Sequence, residues 1–306
     1  MNEDERRGWA DRIVQARAER RLLAPMTDGC GATMDDAYAI QSMVTGRRLA
    51  AGQRQVGWKL GYTSAAMRVQ MGVTQPNLAP LTDAMLVPND GEVCRSLVQP
   101  RVEPEIAVRI GRTICGPLSA GDAWATVDGV WASLEVVDAV WADYRFRIED
   151  NTADGSSAAG VVLGPALDRS ADLAAMTVEL RQDGGVVATA TGAAAMGGPA
   201  NALAWLTFEL ARLGWELAAG SLVITGGLTA AVPLEPGARI EAVFDGATAV
   251  AVRRAPETSR DGARRPSAST PSRSGGSGPS SDVIARRTFA PREGTTTTTT
   301  RRHDDG

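Results

Sequence analysis

Apolar positions in the first fifty residues recur at helical spacing. Across residues 3–23, Trp9, Ile13, Val14, Ala16 and Leu22 gather loosely on one side of a helix. A second helix is expected from about Thr33, where Thr33 and Asp36 have the spacing of a capping box, to Ala51, with Gly52 ending it. Two further helices are expected, at 119–127 and at 201–213, the latter entered through Pro199 and closed by Gly214. Elsewhere the period is two. Residues 102–110 and 131–138 alternate, and 221–227 reads as a short buried strand running into glycines. Residues 176–182 and 186–190 flank Asp183-Gly184-Gly185, and 239–244 and 247–253 flank Asp245-Gly246; both are hairpin signals. Helices come first and strands dominate the second half. That order predicts an α+β domain with N-terminal helices and a mixed, mostly antiparallel rolled sheet, rather than alternating βαβ units.

The pattern fades near residue 254. Beyond it Ser, Pro, Gly, Arg and Thr prevail, with six consecutive threonines at 295–300. Such a segment lacks the apolar surface to offset its ordering entropy. The expected organisation is one catalytic domain at 1–254, of which 1–55 is a helical N-terminal part, and a disordered tail at 255–306. Residues 281–291 within that tail read as a spacer or as a partner-binding segment. No internal repeat is seen, and no GxGxxG or P-loop follows a strand, which argues against nucleotide cofactors.

Composition narrows the class. Hydrophobic residues make up 43% and charged residues 22%, as in an ordinary soluble protein. With a net charge of −4 and no basic stripe outside the tail, nothing points to nucleic acid. The long apolar stretch 193–217 is broken by Asn201, Glu209 and Arg212, so no membrane span is expected. The highly charged start lacks the apolar segment of a signal peptide. Cys30, Cys94 and Cys115 are odd in number and far apart, which argues against a disulfide framework or a zinc site and for a cytoplasmic protein. The one histidine, His303, stands in the tail, so a histidine triad or histidine-rich metal site is not expected in the folded part. The one lysine is Lys59, and lysine, unlike arginine, can lose its proton when buried.

Several residues could carry chemistry. Glu103 and Glu105, two apart on an alternating strand, send both carboxylates to one face. Pro104 between them marks an edge or an interrupted strand. Glu135 lies in an apolar strand, where a charge needs a partner. Three carboxylates suit a hard cation such as Mg²⁺ or Mn²⁺. On spacing alone, a solvated Glu103–Glu105 pair with Glu135 bound to an arginine has the stronger claim. Lys59 is flanked by Trp58 and Leu60, which would disfavour its charge, and by glycines at 57 and 61 that permit close approach. Asp154-Gly155-Ser156-Ser157 is either a plain turn or a source of hydroxyl and amide donors. Thr225-Gly226-Gly227 ends a buried strand, where backbone amides can form an anion nest.

Taken in order, these segments resemble one family. Val56-Gly-Trp-Lys-Leu-Gly-Tyr-Thr-Ser64, Gln70-Met-Gly-Val73, Gln99-Pro-Arg-Val-Glu-Pro-Glu-Ile106, Leu134-Glu-Val-Val-Asp138, the stretch 154–164 and Thr225-Gly-Gly-Leu-Thr-Ala-Ala-Val-Pro233 are similar to segments of the 2-oxopent-4-enoate hydratases and 4-oxalocrotonate decarboxylases, relatives of fumarylacetoacetate hydrolase. The resemblance covers residues 8–253. It implies a divalent metal, Mg²⁺ or Mn²⁺, on Glu103, Glu105 and Glu135, and Lys59 as the active-site acid/base or orienting group. It implies substrate contacts from Ser64, Asp154, Ser157, Thr225 and Gly226, and a small unsaturated 2-oxo acid as substrate. A homo-oligomer, or a complex with a hydratase or decarboxylase partner, is implied as well.

Residues 225–233 look more like the decarboxylase form than the hydratase form, which ranks decarboxylation of 2-oxohex-3-enedioate ahead of hydration of 2-hydroxypenta-2,4-dienoate. The far carboxylate of the former is vinylogously β to the carbonyl, so losing CO₂ pushes electrons through the alkene onto the 2-oxygen. Hydrolytic carbon–carbon cleavage usually wants a histidine-assisted water and is disfavoured here. Three departures from the family stand out: Gly198 where relatives usually carry His, Gly155 where they carry Asn, and Ala84 at a shifted acidic position. By resemblance these border the pocket. They keep two other readings open, a non-catalytic partner subunit and a 2-oxo acid binding protein. Deleting residues 255–306 is expected to leave catalytic activity intact; a large loss in the truncated protein would refute the assignment of 255–306 as a dispensable tail.

Overall fold

The computed structural model describes residues 1–257, apart from 66, 67, 70 and 71. From 258 onward the expected tail lies outside the described residues, as does part of the Gln70-Met-Gly-Val73 segment.

Helix α1 spans Glu3–Ala18, capped by Asn2 and Glu5 reciprocally, with Glu3, Asp4 and Glu5 in its first turn where the helix dipole favours negative charge. It ends five residues earlier than expected, and Arg20 turns the chain with a φ of 53°. Helix α2 spans Met34–Ala50. The Thr33–Asp36 capping box forms as read, and Gly52 closes the helix at a φ of 94°. Ala10, Ile13 and Ala16 of α1 and Ala37, Ile40 and Val44 of α2 share a core with Ala139, Val140 and Trp141.

The strands are β1 (Gln55–Gly61), β2 (Asn77–Thr82), β3 (Leu86–Val87), β4 (Gly91–Glu92), β5 (Arg101–Ile110), β6 (Val127–Val137), β7 (Ala158–Ala166), β8 (Thr177–Gln182), β9 (Gly185–Thr191), β10 (Leu222–Ile224), β11 (Val232–Pro233), β12 (Arg239–Phe244) and β13 (Thr248–Arg253). Helix α3 (Ala120–Trp124) is shorter than its pattern suggested, because β6 already begins at Val127. Helix α4 (Ile148–Ala153) was not foreseen; six residues are too few to show a period. Helix α5 (Pro199–Arg212) starts with proline in its first turn, as expected.

Two sheets result. The larger runs β2-β1-β10-β5-β6-β7-β3, with β11 also on β5; the smaller runs β4-β13-β12-β8-β9. Both hairpins, β8–β9 and β12–β13, form at the expected Asp-Gly turns. The pairing is mixed and mostly antiparallel, with β1–β10, β3–β7 and β4–β13 parallel. A continuous core joins the two sheets and α5, including Leu60, Ile106, Leu134, Leu180, Leu206 and Ile240.

The larger sheet is strongly rolled. On a flat sheet β1 and β6 would stand three strand spacings apart, about 14 Å. Yet the side chains of Lys59 on β1 and Glu135 on β6 touch. The short β10 makes this possible: it ends at Ile224, opposite Ala107, and leaves the next positions of β5 open toward β1.

Glycines at 57 and 61 let β1 sit so tightly. A Cβ at Gly57 would overlap the Leu222 carbonyl, and one at Gly61 would overlap the Asn77 and Ser156 side chains. The close approach expected there is thus by the protein's own atoms. Gly57→Ala should lower the unfolding free energy by about 3 kcal/mol, at the upper end of overpacking costs. A urea unfolding curve within about 0.5 kcal/mol of wild type would show that β1 and β10 are not held this closely.

Candidate metal centre

Strand β5 is central rather than an edge. Its outer neighbour changes, from β10 beside Ala107–Arg109 to β11 beside Arg101–Val102, and Pro104 falls in that interruption, where its carbonyl accepts from the Leu228 amide. The missing N–H of proline therefore costs no ladder bond on that side. On the inner side Glu103 pairs in register with Glu135 of β6, and Glu105 follows two residues on, so all three carboxylates share one face. One oxygen from each lies within 4.8 Å of the others. Glu105 and Glu135 are fully buried, and Glu103 opens onto a cavity.

Lys59 is buried beside them. Its Nζ lies 2.8 Å from Glu135 Oε1 and donates to the Ser156 carbonyl at 2.8 Å. Burial alone pulls the ammonium down, as Trp58 and Leu60 suggested. The charges of Glu135, Glu103 and Glu105 more than reverse this and leave it raised. With the carboxylates free of metal, the charged form of Lys59 is therefore favoured, against the suppression of charge expected from its sequence neighbours.

The carboxylates feel the opposite strain. Burial, then the charge of Glu135, pushes Glu103 up to about 7. Burial and Glu135 raise Glu105 well above the usual range, and burial raises Glu135 despite Lys59. Gly226 donates its amide to Glu105 Oε2 at 2.7 Å, but Glu105 Oε1 and Glu135 Oε2 have no hydrogen-bond partner. Fully ionised, three carboxylates against one ammonium leave an excess of two negative charges. An all-oxygen donor set, buried and short of donors, fits a hard divalent cation held by Glu103, Glu105 and Glu135.

The cavity beside the cluster has a volume of about 330 Å³. Its walls include Lys59, Glu103, Ser64 and Ser157, four of the residues singled out from sequence. Ser157 Oγ accepts from Asn151 Nδ2 at 2.9 Å, which leaves its own proton to donate. Ser156 and Ser157 are both left-handed, with φ of 52° and 57°, a conformation costing about 1–2 kcal/mol per residue outside glycine.

Three other expected contacts go elsewhere. The Asp154 carboxylate pairs with Arg17 Nη2 at 2.6 Å and accepts from the Val140 amide, turned away from the cavity wall. The Thr225 hydroxyl donates to the Ile106 carbonyl. The Gly226 amide serves Glu105 rather than a ligand; its φ of 108° and the Thr63 side chain against its Cα exclude any larger residue. The expected anion nest is thus used by a protein carboxylate.

Arg101, Tyr62, Tyr144 and Asn151 line the cavity and were not singled out. Arg101 had a usable signal: it stands two residues before Glu103 and so faces the same way. Its guanidinium carbon lies 4.0 Å from the centre of the Tyr144 ring, and it has no ion-pair partner among the described residues. The three departures from the family lie outside the cavity wall. Gly198 caps α5 with a φ of 132° against Ala174, Gly155 forms the turn before the serines, and Ala84 borders a separate cavity with Leu86 and Val136.

Residues 56–253 match the family described as fumarylacetoacetate (FAA) hydrolase C-terminal. Over 243 residues the chain is 40% identical to a 2-keto-4-pentenoate hydratase of Burkholderia vietnamiensis (strain G4 / LMG 22486), covering 78% of this chain and 92% of that one. It is 35% identical over 229 residues to a 4-oxalocrotonate decarboxylase of Pseudomonas sp, covering 74% and 90%. Among solved structures it resembles 4-oxalocrotonate decarboxylase from Pseudomonas putida G7 complexed with magnesium and adipate, with a TM-score of 0.79, 33% identity, and coverage of 83% of this chain and 98% of that one.

The raised carboxylates predict how protons and metal compete. A proton stays on Glu103 until the pH passes about 7, so a cation must displace it below that point. The Kd for Mg²⁺ should therefore rise by roughly tenfold for each proton displaced per unit fall in pH. Calorimetric titrations at pH 6, 7 and 8 test this; a Kd that does not change across that range would contradict the assignment.

Proposed function

This chain belongs to the fumarylacetoacetate hydrolase C-terminal family, and from that premise we propose that it is a divalent-metal-dependent lyase that decarboxylates 2-oxohex-3-enedioate. The observation that carries the reading is the cluster of three carboxylates and the sole lysine, with Glu105 and Glu135 buried and Glu103 opening onto a cavity that Lys59 and Arg101 also line. The likeness to a decarboxylase complexed with magnesium and a six-carbon diacid supports this choice and Mg²⁺ as the native ion. Hydration of 2-hydroxypenta-2,4-dienoate is the second reading, favoured by the 40% identity to a hydratase.

The residues divide the work. When bound, a divalent cation supplies Lewis-acid stabilisation of the charge that develops on the 2-oxygen. Arg101, unpaired and backed by the Tyr144 ring, meets a substrate carboxylate with two parallel donors. The Ser157 hydroxyl is a further donor in the same wall. In decarboxylation the bond to the departing carboxylate breaks and its electron pair moves through the alkene to the 2-oxygen. Lys59, buried against Glu135 and aimed by the Ser156 carbonyl, stabilises that oxygen by hydrogen bonding and can return a proton to the dienolate.

We place this reaction in the cytoplasm, in the meta-cleavage breakdown of aromatic compounds. The three free cysteines accord with a reducing compartment, and no described helix is long and apolar enough to cross a membrane. A non-catalytic subunit is disfavoured because the cavity wall keeps its chemistry while the family departures lie outside it.

Ultraviolet turnover assays with CO₂ detection test the reading, using 2-oxohex-3-enedioate and 2-hydroxypenta-2,4-dienoate, with Mg²⁺ and then EDTA. Metal-dependent CO₂ release, reduced by more than about 100-fold in Lys59→Met and Glu105→Gln, is the expected result. Loss of the dienoate absorbance without CO₂ would make the protein a hydratase. Turnover of neither substrate by metal-loaded protein would overturn both.

A further inference from the structure

The N-terminal helices precede the stretch matched to the family, which begins at residue 56. One of their side chains nevertheless reaches the backbone that holds Lys59. Arg17 of α1 places Nη2 2.6 Å from Asp154 Oδ1 and donates to the Asp154 carbonyl as well. Its Nη1 lies 3.9 Å from Asp138 Oδ2. Both acids are buried, and both are already committed to backbone amides. Asp154 Oδ2 accepts from Val140, and the Asp138 carboxylate accepts from Val98 and Gln99 at 3.0 and 2.7 Å.

These contacts converge on the metal-centre segments. Asp138 directly follows β6, which carries Glu135, and Val98 and Gln99 lead into β5, which carries Glu103. Asp154 opens the turn Gly155-Ser156-Ser157, whose three residues all have positive φ. The carbonyl in the middle of that turn, on Ser156, takes one proton of the Lys59 ammonium. The far end is fixed by the Asp138 amide, which donates to the Ser157 carbonyl at 2.8 Å. Consecutive left-handed non-glycine residues persist only where their surroundings over-determine them. Here Asp154 fixes one end and Asp138 the other, and Arg17 reaches toward both.

We propose that Arg17 is a positioning residue for the Lys59 site: through Asp154 it holds the Ser156–Ser157 turn so that the Ser156 carbonyl receives the Lys59 ammonium. Residues 1–55 are then part of the catalytic apparatus rather than an appendage to the family domain. If the anchor is released, the strained turn relaxes, the Ser156 peptide plane rotates, and Lys59 loses one of the acceptors that aim it. The metal carboxylates, held by the β5–β6 ladder, stay in place.

The test uses the full chain with Arg17→Gln and with Asp154→Asn, which is isosteric and keeps the Val140 contact if the first variant fails to fold. Because Lys59 is the only lysine, protein labelled with ¹⁵N at lysine Nζ gives one lysine side-chain resonance. The expected result is a displaced Nζ resonance at fixed pH, a Kd for Mg²⁺ within about threefold of wild type, and a kcat lowered by about tenfold or more, the usual cost of removing an outer support. The activity arm rests on the proposed lyase reaction. Should wild type turn over neither substrate, that reading fails and the resonance alone decides this one. A lowered melting temperature with wild-type kcat and an unmoved resonance would reduce Arg17 to a structural role and overturn the proposal. A lowered kcat with an unmoved resonance would overturn it too, by placing the loss elsewhere.

Discussion

Three carboxylates gathered round a single ammonium, Glu105 and Glu135 buried and Glu103 open to a cavity, form the constraint on which this structure turns. Like charges so close in a poorly solvated interior repel strongly, and Lys59 offsets one of them. The remaining excess calls for protons or a cation. Much of the fold can be understood as the means of holding that unfavourable cluster in place. The β5–β6 ladder fixes Glu103 opposite Glu135, the roll of the larger sheet delivers Lys59 from β1, and the Gly226 amide steadies Glu105. The glycines at 57 and 226 follow from the same demand, since each permits a contact that a side chain would block.

The cavity is the outward face of this cluster. Glu103 connects the two, its carboxyl pushed up to about 7 by burial and by Glu135, yet open to the cavity. The surrounding groups are mostly donors: the Lys59 ammonium, the Arg101 guanidinium and the Ser157 hydroxyl. A wall rich in donors beside a carboxylate cluster that fits a cation suits an anionic, oxygen-rich ligand.

Features set by local rules were legible in the sequence. The Thr33–Asp36 cap, both Asp-Gly hairpins and the common face of Glu103 and Glu105 follow from spacing alone. Features set by distant partners were not. Lys59 looks apolar-flanked along the chain, but its neighbours in space are acids, so its charge is favoured rather than suppressed. Asp154 reads as a turn residue; that its carboxylate faces Arg17, 137 residues away, has no local signature. The Gly226 amide could serve an anion of either origin, and only the rolled sheet shows that Glu105 takes it. Strand β10, three residues long, gave no hint of pairing in parallel with β1 across the chain.

The most direct test of this account is anomalous diffraction from crystals grown with Mn²⁺. The account predicts one strong peak between Glu103, Glu105 and Glu135, with a carboxylate oxygen of each at about 2.0–2.3 Å and with Lys59 Nζ outside the coordination shell. A peak elsewhere, or none at these carboxylates at saturating Mn²⁺ and pH 8, would contradict the claim that the buried cluster is a cation site.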